Sequence, residues 1–418
     1  MATSGLRVRV HLTSRRHHDT APPATIARTP AMPTLFIDIL LGIIAAIWWI
    51  GALRNLLAVR RLQVLSDDLA DNLDPPQVAV IIAARDEAEH IADTVQAFLD
   101  QQGVHMHLCV VDDRSEDRTG AIVDEIAASD ERVTRQRIDE LPDGWLGKCH
   151  ALHVGAQRTS AEWLLFADAD TRFVKPDVIR RAVNAAQLKE ADHVCLFPRL
   201  LSIGVMARAI SCLFFMGVAD KIDRINRDRP RAYFGVGAFN LIRTTTYRAI
   251  GGHEPLKLEV LDDVHLGAMV RRHGGRSRFL VAFDDITSTW GGSVHNIIHV
   301  LEKNSFASIR YSVPLLALAI LAFVILWGTA IAGPIIAITS GRWAALAVTA
   351  GLLANGLAVI PIARRMGSPA WVGAISPVFF PILMYAGVRS AALTLIRGGV
   401  RWRDTFYPLA ELRAGRFR

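Results

Sequence analysis

The chain has 418 residues, of which 51% are hydrophobic, and it carries a formal net charge of +7 at pH 7. This length suffices for one large domain or two ordinary ones. High apolar content with a basic balance favours a membrane protein over a nucleic-acid binder, and the sequence has no basic-aromatic nucleic-acid motif. The four cysteines lack paired spacing, which fits a reducing compartment and argues against a disulfide framework or a zinc site.

The amino-terminal part divides into two segments. Residues 1–34 are rich in Arg, Thr, Ala and Pro without periodicity, which predicts disorder or an extension upstream of a start at Met32. Residues 35–53 are almost entirely apolar and long enough to span a bilayer. A cleaved signal peptide is the alternative, but no small-residue cleavage site precedes Arg54, so we expect an uncleaved transmembrane anchor.

Residues 76–310 alternate strand-length apolar runs with amphipathic stretches, which predicts an α/β domain with a mostly parallel, Rossmann-like sheet. In such sheets ligands bind at the carboxyl ends of the strands. Further along, 201–218 predicts an interfacial or buried helix and 220–231 a mobile loop. The clearest strands are predicted at 78–83, 107–111, 163–167 and 193–198, and helices from about 86 and at 120–128, 148–157 and 176–187.

Residues 313–396 return to membrane composition and predict a domain of two or three helices. The last apolar stretch contains Pro377 and Pro381, so it is predicted to be kinked or re-entrant. A strongly basic tail, 397–418, follows.

Two carboxylates, Asp168 and Asp170, stand at the end of the buried strand predicted at 163–167. Residues i and i+2 of an extended chain point the same way, so the two side chains should emerge together. Like charges that close repel unless a cation or proton lies between them, and Mg²⁺ or Mn²⁺ is the natural partner. A solvated turn is the alternative interpretation.

Other polar groups also follow strands or begin helices. Asp112 and Asp113 end the second strand and could hold a base or ribose, or cap a helix. Lys148 stands beside a glycine at a helix start, which suits a diphosphate. Asp262 and Asp263 open another helix, where a carboxylate is either a helix-start charge or a general base.

Taken in chain order, five segments resemble the family 2 inverting glycosyltransferases of the GT-A fold. They resemble most the membrane-anchored branch that contains ceramide glucosyltransferases and the bacterial carotenoid- and hopanoid-associated enzymes. The resemblance covers about residues 76–310 and the flanking spans. The segments are Ile82-Ala-Ala-Arg-Asp-Glu87, Val111-Asp-Asp-Arg-Ser-Glu-Asp-Arg-Thr119, Gly144-Trp-Leu-Gly-Lys148, Asp168-Ala-Asp170 and Asp262-Asp263.

The resemblance implies a role for each matching position. Asp263 would be the catalytic base, and Asp168 and Asp170 would bind a divalent cation, Mg²⁺ or Mn²⁺. The acceptor side would include Gly235, Gly237 and Asp262. The nucleotide-sugar site would be formed by Ala83, Arg85, Glu87, Asp112, Asp113, Lys148 and Asp168.

The chain also departs from the family pattern. Ala83 stands where a proline is common, and the Gln/Arg-x-x-Arg-Trp box of processive synthases is absent. His299-Val-Leu-Glu-Lys-Asn304 stands at the comparable place, which leaves Lys303 as the candidate to complete the diphosphate site.

The expected activity is transfer of a sugar from a nucleoside-diphosphate sugar, expected to be a UDP-sugar, to a hydroxyl of a membrane lipid or isoprenoid acceptor. A processive polysaccharide synthase is the alternative enzyme, disfavoured by the missing box. A nucleotide-binding transporter or receptor is disfavoured because the predicted spans contain almost no charge. No nucleic-acid partner is expected.

The expected location is the inner (plasma) membrane, as a multi-pass protein whose catalytic domain faces the cytoplasm. Arginines after the first span and between later spans agree with this orientation. Three full spans after the domain would, however, place the basic tail outside. Either the last stretch is re-entrant or one segment does not cross.

Overall fold

The computed structural model describes residue 1 and residues 32–67, 74–289 and 292–417. Of the predicted extension at 1–34, only residue 1 and the last residues, which begin the first helix, belong to this part of the chain.

An α/β domain occupies the middle of the chain, as predicted. Its strands are β1 (Gln77–Ala84), β2 (His105–Asp113), β3 (Val133–Ile138), β4 (Trp163–Ala167), β5 (Arg172–Phe173), β6 (His193–Leu200), β7 (Asn240–Arg243) and β8 (Ser277–Ser288). Its helices are α2 (Ile91–Leu99), α3 (Thr119–Ser129), α4 (Gly147–Gln157), α5 (Val178–Leu188), α6 (Gly204–Asn226), α7 (Thr244–Ala249), α8 (Asp262–Arg272) and α9 (Val294–Ser308). Apolar helices flank the domain: α1 (Met32–Arg60) precedes it, and α10 (Val313–Ser340), α11 (Ala344–Arg365), α12 (Ala370–Ile375) and α13 (Phe380–Arg397) follow. The described chain then forms β9 (Gly399–Trp402), β10 (Thr405–Pro408) and α14 (Leu409–Ala414).

The main sheet has the strand order β3-β2-β1-β4-β7-β6-β8-β5. Strands β3, β2, β1 and β4 are parallel, whereas β7 runs antiparallel to both of its neighbours. The register pairs Ala84 with Asp112 and Ile82 with Ala167. The residues that follow β1, β2 and β4 therefore meet at one edge of the sheet.

Helices cover both faces of this sheet because its central strands are apolar on both. Along β1, Val80 and Ile82 pack in the cluster that holds α2, α3 and α5, whereas Ala79 and Ile81 pack in the cluster that holds α4, α7 and α8. This is the alternation expected of an extended chain. At Gly155 of α4 a Cβ would lie 2.6 Å from the Ile81 side chain, so glycine lets this helix lie close to the strand.

Among the described residues, four helical segments are long and apolar enough to cross a membrane: Thr34–Arg60, Val313–Ser340, Ala344–Arg365 and Ala370–Arg397. The Trp48 indole of α1 donates to the Leu326 carbonyl of α10 at 3.1 Å, and Trp49 donates to Ala347 of α11. Helix α6 lies between these helices and the sheet. It continues to Asn226 because Ile222 and Ile225 extend its buried face, so the loop predicted from 220 is wrong over that part.

The last apolar segment is not one straight helix. A 3₁₀ turn, Ser376–Phe379, separates α12 from α13, and its Pro377 carbonyl accepts a hydrogen bond from Trp327, midway along α10. Helix α11 ends beside the α/β domain, where Ile362 packs in one cluster with Phe279 of β8. Strands β9 and β10, which follow α13, also pack on that domain. Both ends of the segment therefore lie on the same side of the molecule.

Candidate active site

All but one of the polar groups predicted to form the site gather around a cavity of about 900 Å³ at the carboxyl edge of the sheet. Strand β4 ends at Ala167, so the next residue, Asp168, lies in the wall of this cavity. Gly237, just before β7, lies so close that a Cβ there would be 2.4 Å from Asp168 Oδ2. The cavity is lined by Ala83, Arg85, Glu87, Asp113, Lys148, Asp168, Asp170, Gly235, Gly237, Asp262 and Asp263, among others.

Lys148 is the central cation of this cavity. It lies in the first turn of α4, and its Nζ is 2.7 Å from Asp168 Oδ1 and 4.0 Å from Asp262 Oδ1. Burial would lower the pKa of Lys148, but Asp168, Asp262 and Asp263 outweigh it and raise that pKa well above its usual value. Lys148 is therefore held protonated, where it can neutralise a phosphate.

Asp170 lies deeper than Asp168. Its Oδ2 accepts hydrogen bonds from Thr289 Oγ1 at 2.9 Å and Ser288 Oγ at 3.2 Å. Burial, and then the charge of Asp168, raise the pKa of Asp170 above its usual range. Two neighbouring carboxylates that resist joint ionisation fit a divalent cation, which would remove the repulsion.

No cluster of three or more His, Cys, Asp or Glu side chains with the arrangement of a metal site occurs among the described residues. Two carboxylates without a third protein ligand still fit Mg²⁺ or Mn²⁺, because these ions are commonly bound by one or two carboxylates together with substrate phosphates. The residues present are thus compatible with a metal that binds along with a nucleotide.

Asp263 has the environment of a general base. It lies in the first turn of α8, and burial, with the neighbouring Asp262, raises its pKa to about 7. A carboxylate with a pKa near the working pH accepts a proton readily and can release it again. Gly235 permits the close approach of the opposite loop, because a Cβ there would lie 1.8 Å from the Asp263 carbonyl oxygen.

The acidic pair after β2 separates into two environments. Asp113 lines the cavity and pairs with Arg114 at 2.8 Å. Asp112 is fully buried, accepts from Arg135 at 3.1 Å and Arg137 at 2.9 Å, and does not line the cavity. The structure thus brings Asp113 to the site but not Asp112, whose carboxylate instead joins β2 to β3.

Lys303, on α9, is a second cation close to the acidic groups. Burial, and then the charge of Lys148, lower its pKa to about 8. Its Nζ lies 3.5 Å from the centre of the Trp402 ring, a cation–π contact with β9. The structure therefore brings Lys303 to the cavity, as the sequence suggested it could.

Sequence reasoning missed a buried polar chain behind Asp263. The Asn240 amide donates to the Asp263 carbonyl at 3.4 Å, its Oδ1 lies 2.6 Å from His193 Nε2, and His193 Nδ1 lies 3.1 Å from Ser277 Oγ. Burial lowers the pKa of His193 to about 4, so the ring is neutral. The sequence did contain a signal for this chain of contacts: β6, β7 and β8 each begin with a polar residue, where a buried strand would be expected to have an apolar one.

The mostly parallel sheet with helices on both faces, and with a cavity at its carboxyl edge, is a GT-A fold. A mannosyltransferase from Pyrobaculum calidifontis, solved in complex with GDP-Man and Mn²⁺, has a similar structure. The TM-score is 0.50 and the identity 18%, over 85% of this chain and 99% of that one. At this identity the likeness concerns the fold.

The family follows from the sequence. The sequence pattern of the family described as 'Glycosyltransferase like family 2' matches residues 75–290, just over half of the chain. The chain therefore belongs to that family. A 4,4'-diaponeurosporenoate glycosyltransferase of Staphylococcus aureus is 25% identical over 203 residues, or 47% of this chain and 52% of the relative. The chain thus spans about half the length of the curated relatives it matches.

Proposed function

We propose that the protein is a membrane-bound inverting glycosyltransferase that moves a single sugar from a nucleoside-diphosphate sugar to a hydroxyl of a lipid or isoprenoid acceptor. The observation that carries the proposal is the convergence of Lys148, Asp168, Asp170 and Asp263 on one cavity of the GT-A domain. Displacement of a nucleoside diphosphate needs cations for the leaving group and a base for the incoming hydroxyl. This cavity contains both.

The donor half of the proposed site lies at the ends of β1, β2 and β4. Asp113, Glu87 and Ala83 line the part of the cavity where a base and ribose would be held, and Lys148 and Lys303 would bind the diphosphate. Asp168 and Asp170 would hold Mg²⁺ or Mn²⁺, which would neutralise charge on the departing diphosphate. The Mn²⁺ and GDP-Man bound to the Pyrobaculum enzyme support this proposal for the shared fold.

The acceptor half of the proposed site contains the base. Asp263 would take the proton of the acceptor hydroxyl as its oxygen bonds to the anomeric carbon and the bond to the diphosphate breaks on the opposite face. One such displacement inverts the anomeric centre. Asn240 would keep α8 in place by donating to the Asp263 backbone, because a misplaced base loses the benefit of proximity.

The other wall of the cavity suits an apolar acceptor. It is formed by Phe197, Pro198, Leu200, Phe214, Val218 and Leu301. Where β6 leads into α6, Ile203 is 79% exposed and its neighbours Leu201, Val205 and Met206 are also exposed. An exposed apolar patch beside membrane-length helices would allow a lipid to reach the cavity from the bilayer. The S. aureus relative, named for 4,4'-diaponeurosporenoate, supports an apolar acceptor.

The proposed location is a plasma membrane, with the α/β domain in the cytoplasm, where nucleotide sugars are found. Helices α1, α10 and α11 would cross the bilayer. The α12–α13 segment would enter and leave on the cytoplasmic side, since both of its ends lie beside the α/β domain. This arrangement would keep the basic tail in the cytoplasm, as the positive-inside rule requires.

The proposal is tested with purified full-length protein in lipid nanodiscs. UDP-sugars and GDP-mannose are offered with Mn²⁺ or Mg²⁺, and nucleoside diphosphate release and new glycolipid are measured with membrane lipid extracts as acceptors. We expect divalent-dependent release with at least one donor and a product carrying one sugar. Release of diphosphate from no donor would defeat the proposal, and long products would favour a processive synthase.

A further inference from the structure

The hairpin β9–β10 folds back onto the donor half of the site from the far end of the chain. At its turn, Arg403 forms an ion pair with Glu87, and Asp404 lies 3.5 Å from Arg85. The Arg85 guanidinium also donates to Thr405 Oγ1 at 3.1 Å. The turn therefore contacts two of the three charged residues that directly follow β1, Arg85 and Glu87.

The strands of the hairpin contact the diphosphate side of the site. The Gly147 amide, at the start of α4, donates to the Tyr407 hydroxyl at 3.2 Å. The Trp402 ring lies against the Lys303 ammonium. Trp402, Arg403 and Tyr407 all line the cavity together with Lys148 and Asp168. The hairpin is thus a wall of the same cavity.

The backbone of Arg403 is in a conformation that arginine adopts at a cost. Trp402 pairs with Thr405, so Arg403 and Asp404 form a two-residue turn, and Arg403 has φ +53°. A positive φ lies in the left-handed region, where glycine is the favoured residue. A side chain in this region costs roughly 1–2 kcal/mol. Glycine would stabilise this turn more than arginine does. The presence of arginine at position 403 is therefore not explained by the stability of the turn.

The charge around Arg403 gives an explanation. The cavity is lined by both signs of charge: by the acidic residues Glu87, Asp113, Asp168, Asp170, Glu259, Asp262 and Asp263, and by basic residues that include Arg85, Arg114, Lys148, Lys303 and Arg403. A diphosphate entering such a cavity needs cations, and a guanidinium can bind phosphate through two parallel hydrogen bonds. The Arg403 side chain is 43% exposed and is held by a carboxylate that we assign to the donor site, so it can exchange one anionic partner for another without refolding.

We propose that Arg403 binds the diphosphate of the nucleotide sugar, and that the β9–β10 hairpin is a working part of the donor site. The inference rests on the proposed glycosyl transfer. In the free protein Glu87 holds the guanidinium beside the cavity. When the donor binds, Arg403 transfers its hydrogen bonds to the phosphates, and Glu87 becomes available to the ribose.

The test compares Arg403→Gly, Arg403→Lys and, as a matched control, Arg401→Ala. Arg401 lies on the same hairpin, is exposed and does not line the cavity. Calorimetry on the full chain measures binding of UDP, GDP and the corresponding nucleosides with Mn²⁺ present. We expect Arg403→Gly to bind whichever diphosphate the wild type binds about 10- to 100-fold more weakly, the size of a lost charge-assisted contact. Nucleoside binding by Arg403→Gly should not weaken, since Glu87 is left free to contact the ribose. Diphosphate binding by Arg403→Lys should be intermediate, and Arg401→Ala should match the wild type.

Glycine at position 403 also separates this role from a structural one. Because glycine suits the turn, Arg403→Gly should melt at or above the wild-type temperature, so weaker binding could not be ascribed to unfolding. Equal diphosphate binding by Arg403→Gly would overturn the inference, and tighter binding would show that the hairpin obstructs the site. A wild-type protein that turns over a donor leaves the proposed function intact in both cases. A wild type that neither binds a nucleoside diphosphate nor releases one from a donor would defeat both proposals.

Discussion

Replacing Asp263 with asparagine should abolish transfer and at the same time stabilise the metal-free protein. The pKa of Asp263 rises from 3.8 to about 7 on folding. At about 1.36 kcal/mol for each unit, keeping this carboxylate charged above pH 7 costs up to about 4 kcal/mol. The amino end of α8 favours the negative charge, and the Asp263 side chain is partly accessible to solvent. We therefore expect Asp263→Asn to raise the free energy of unfolding by about 1–3 kcal/mol.

The sign of the pH dependence follows from linkage. Between pH 4 and 7 the folded protein holds a proton on Asp263 that the unfolded chain releases. This group therefore makes stability fall as pH rises through that window, and asparagine removes the slope. Thermal melting with EDTA at pH 5 and pH 8 measures the effect, at roughly 2–4 °C for each kcal/mol.

The control for this experiment is Asp284→Asn, which removes an exposed carboxylate from β8. It should leave both the melting temperature and its pH dependence as in the wild type. Donor binding by Asp263→Asn should persist, since the base acts on the acceptor. Transfer by this variant at a wild-type rate, or a melting temperature with the wild-type dependence on pH, would refute the reasoning.

Three further predictions concern the donor half of the site. Gly237→Ala should lower kcat/KM at least about tenfold, because its Cβ would displace the Asp168 carboxylate, whereas Gly217→Ala, which has open space around it, should stay within about twofold. Asp170→Asn should raise the Mn²⁺ concentration needed for half-maximal activity about tenfold or more, and a metal titration unchanged from wild type would contradict its assignment as a ligand. The kcat/KM for the donor should fall as pH rises through about 8, where Lys303 loses its charge, and Lys303→Met should lack that limb of the pH profile.

The residues at the carboxyl edge of the sheet could be predicted from the sequence, because each strand end is marked by an apolar run followed directly by polar residues. A buried run ending at Ala167 places Asp168 at a strand end, and parallel pairing brings the ends of β1 and β2 beside it. The strand and helix alternation over 76–310 was therefore enough to locate the candidate site. Family 2 membership agrees with the resemblance drawn from the same motifs.

Partners distant in the chain could not be predicted. Asp112 reads as a strand-end ligand like Asp113, and only the β2–β3 pairing shows that Arg135 and Arg137 bury it. Arg403 and Glu87 are 316 residues apart, and no sequence period relates them. The position of the bend between α12 and α13 could not be predicted for the same reason, because it depends on a contact with α10.

The return of the tail to the α/β domain has a consequence for biogenesis. Residues 399–417 leave the ribosome after every membrane-length helix of the described chain. Yet Tyr407 caps the start of α4, and the Phe417 ring lies 4.2 Å from the Arg272 guanidinium of α8. Under the proposed membrane location, a nascent chain could fold its sheet early but could not close the cavity until its helices had entered the bilayer. Membrane insertion would then precede completion of the candidate site, without any separate regulator.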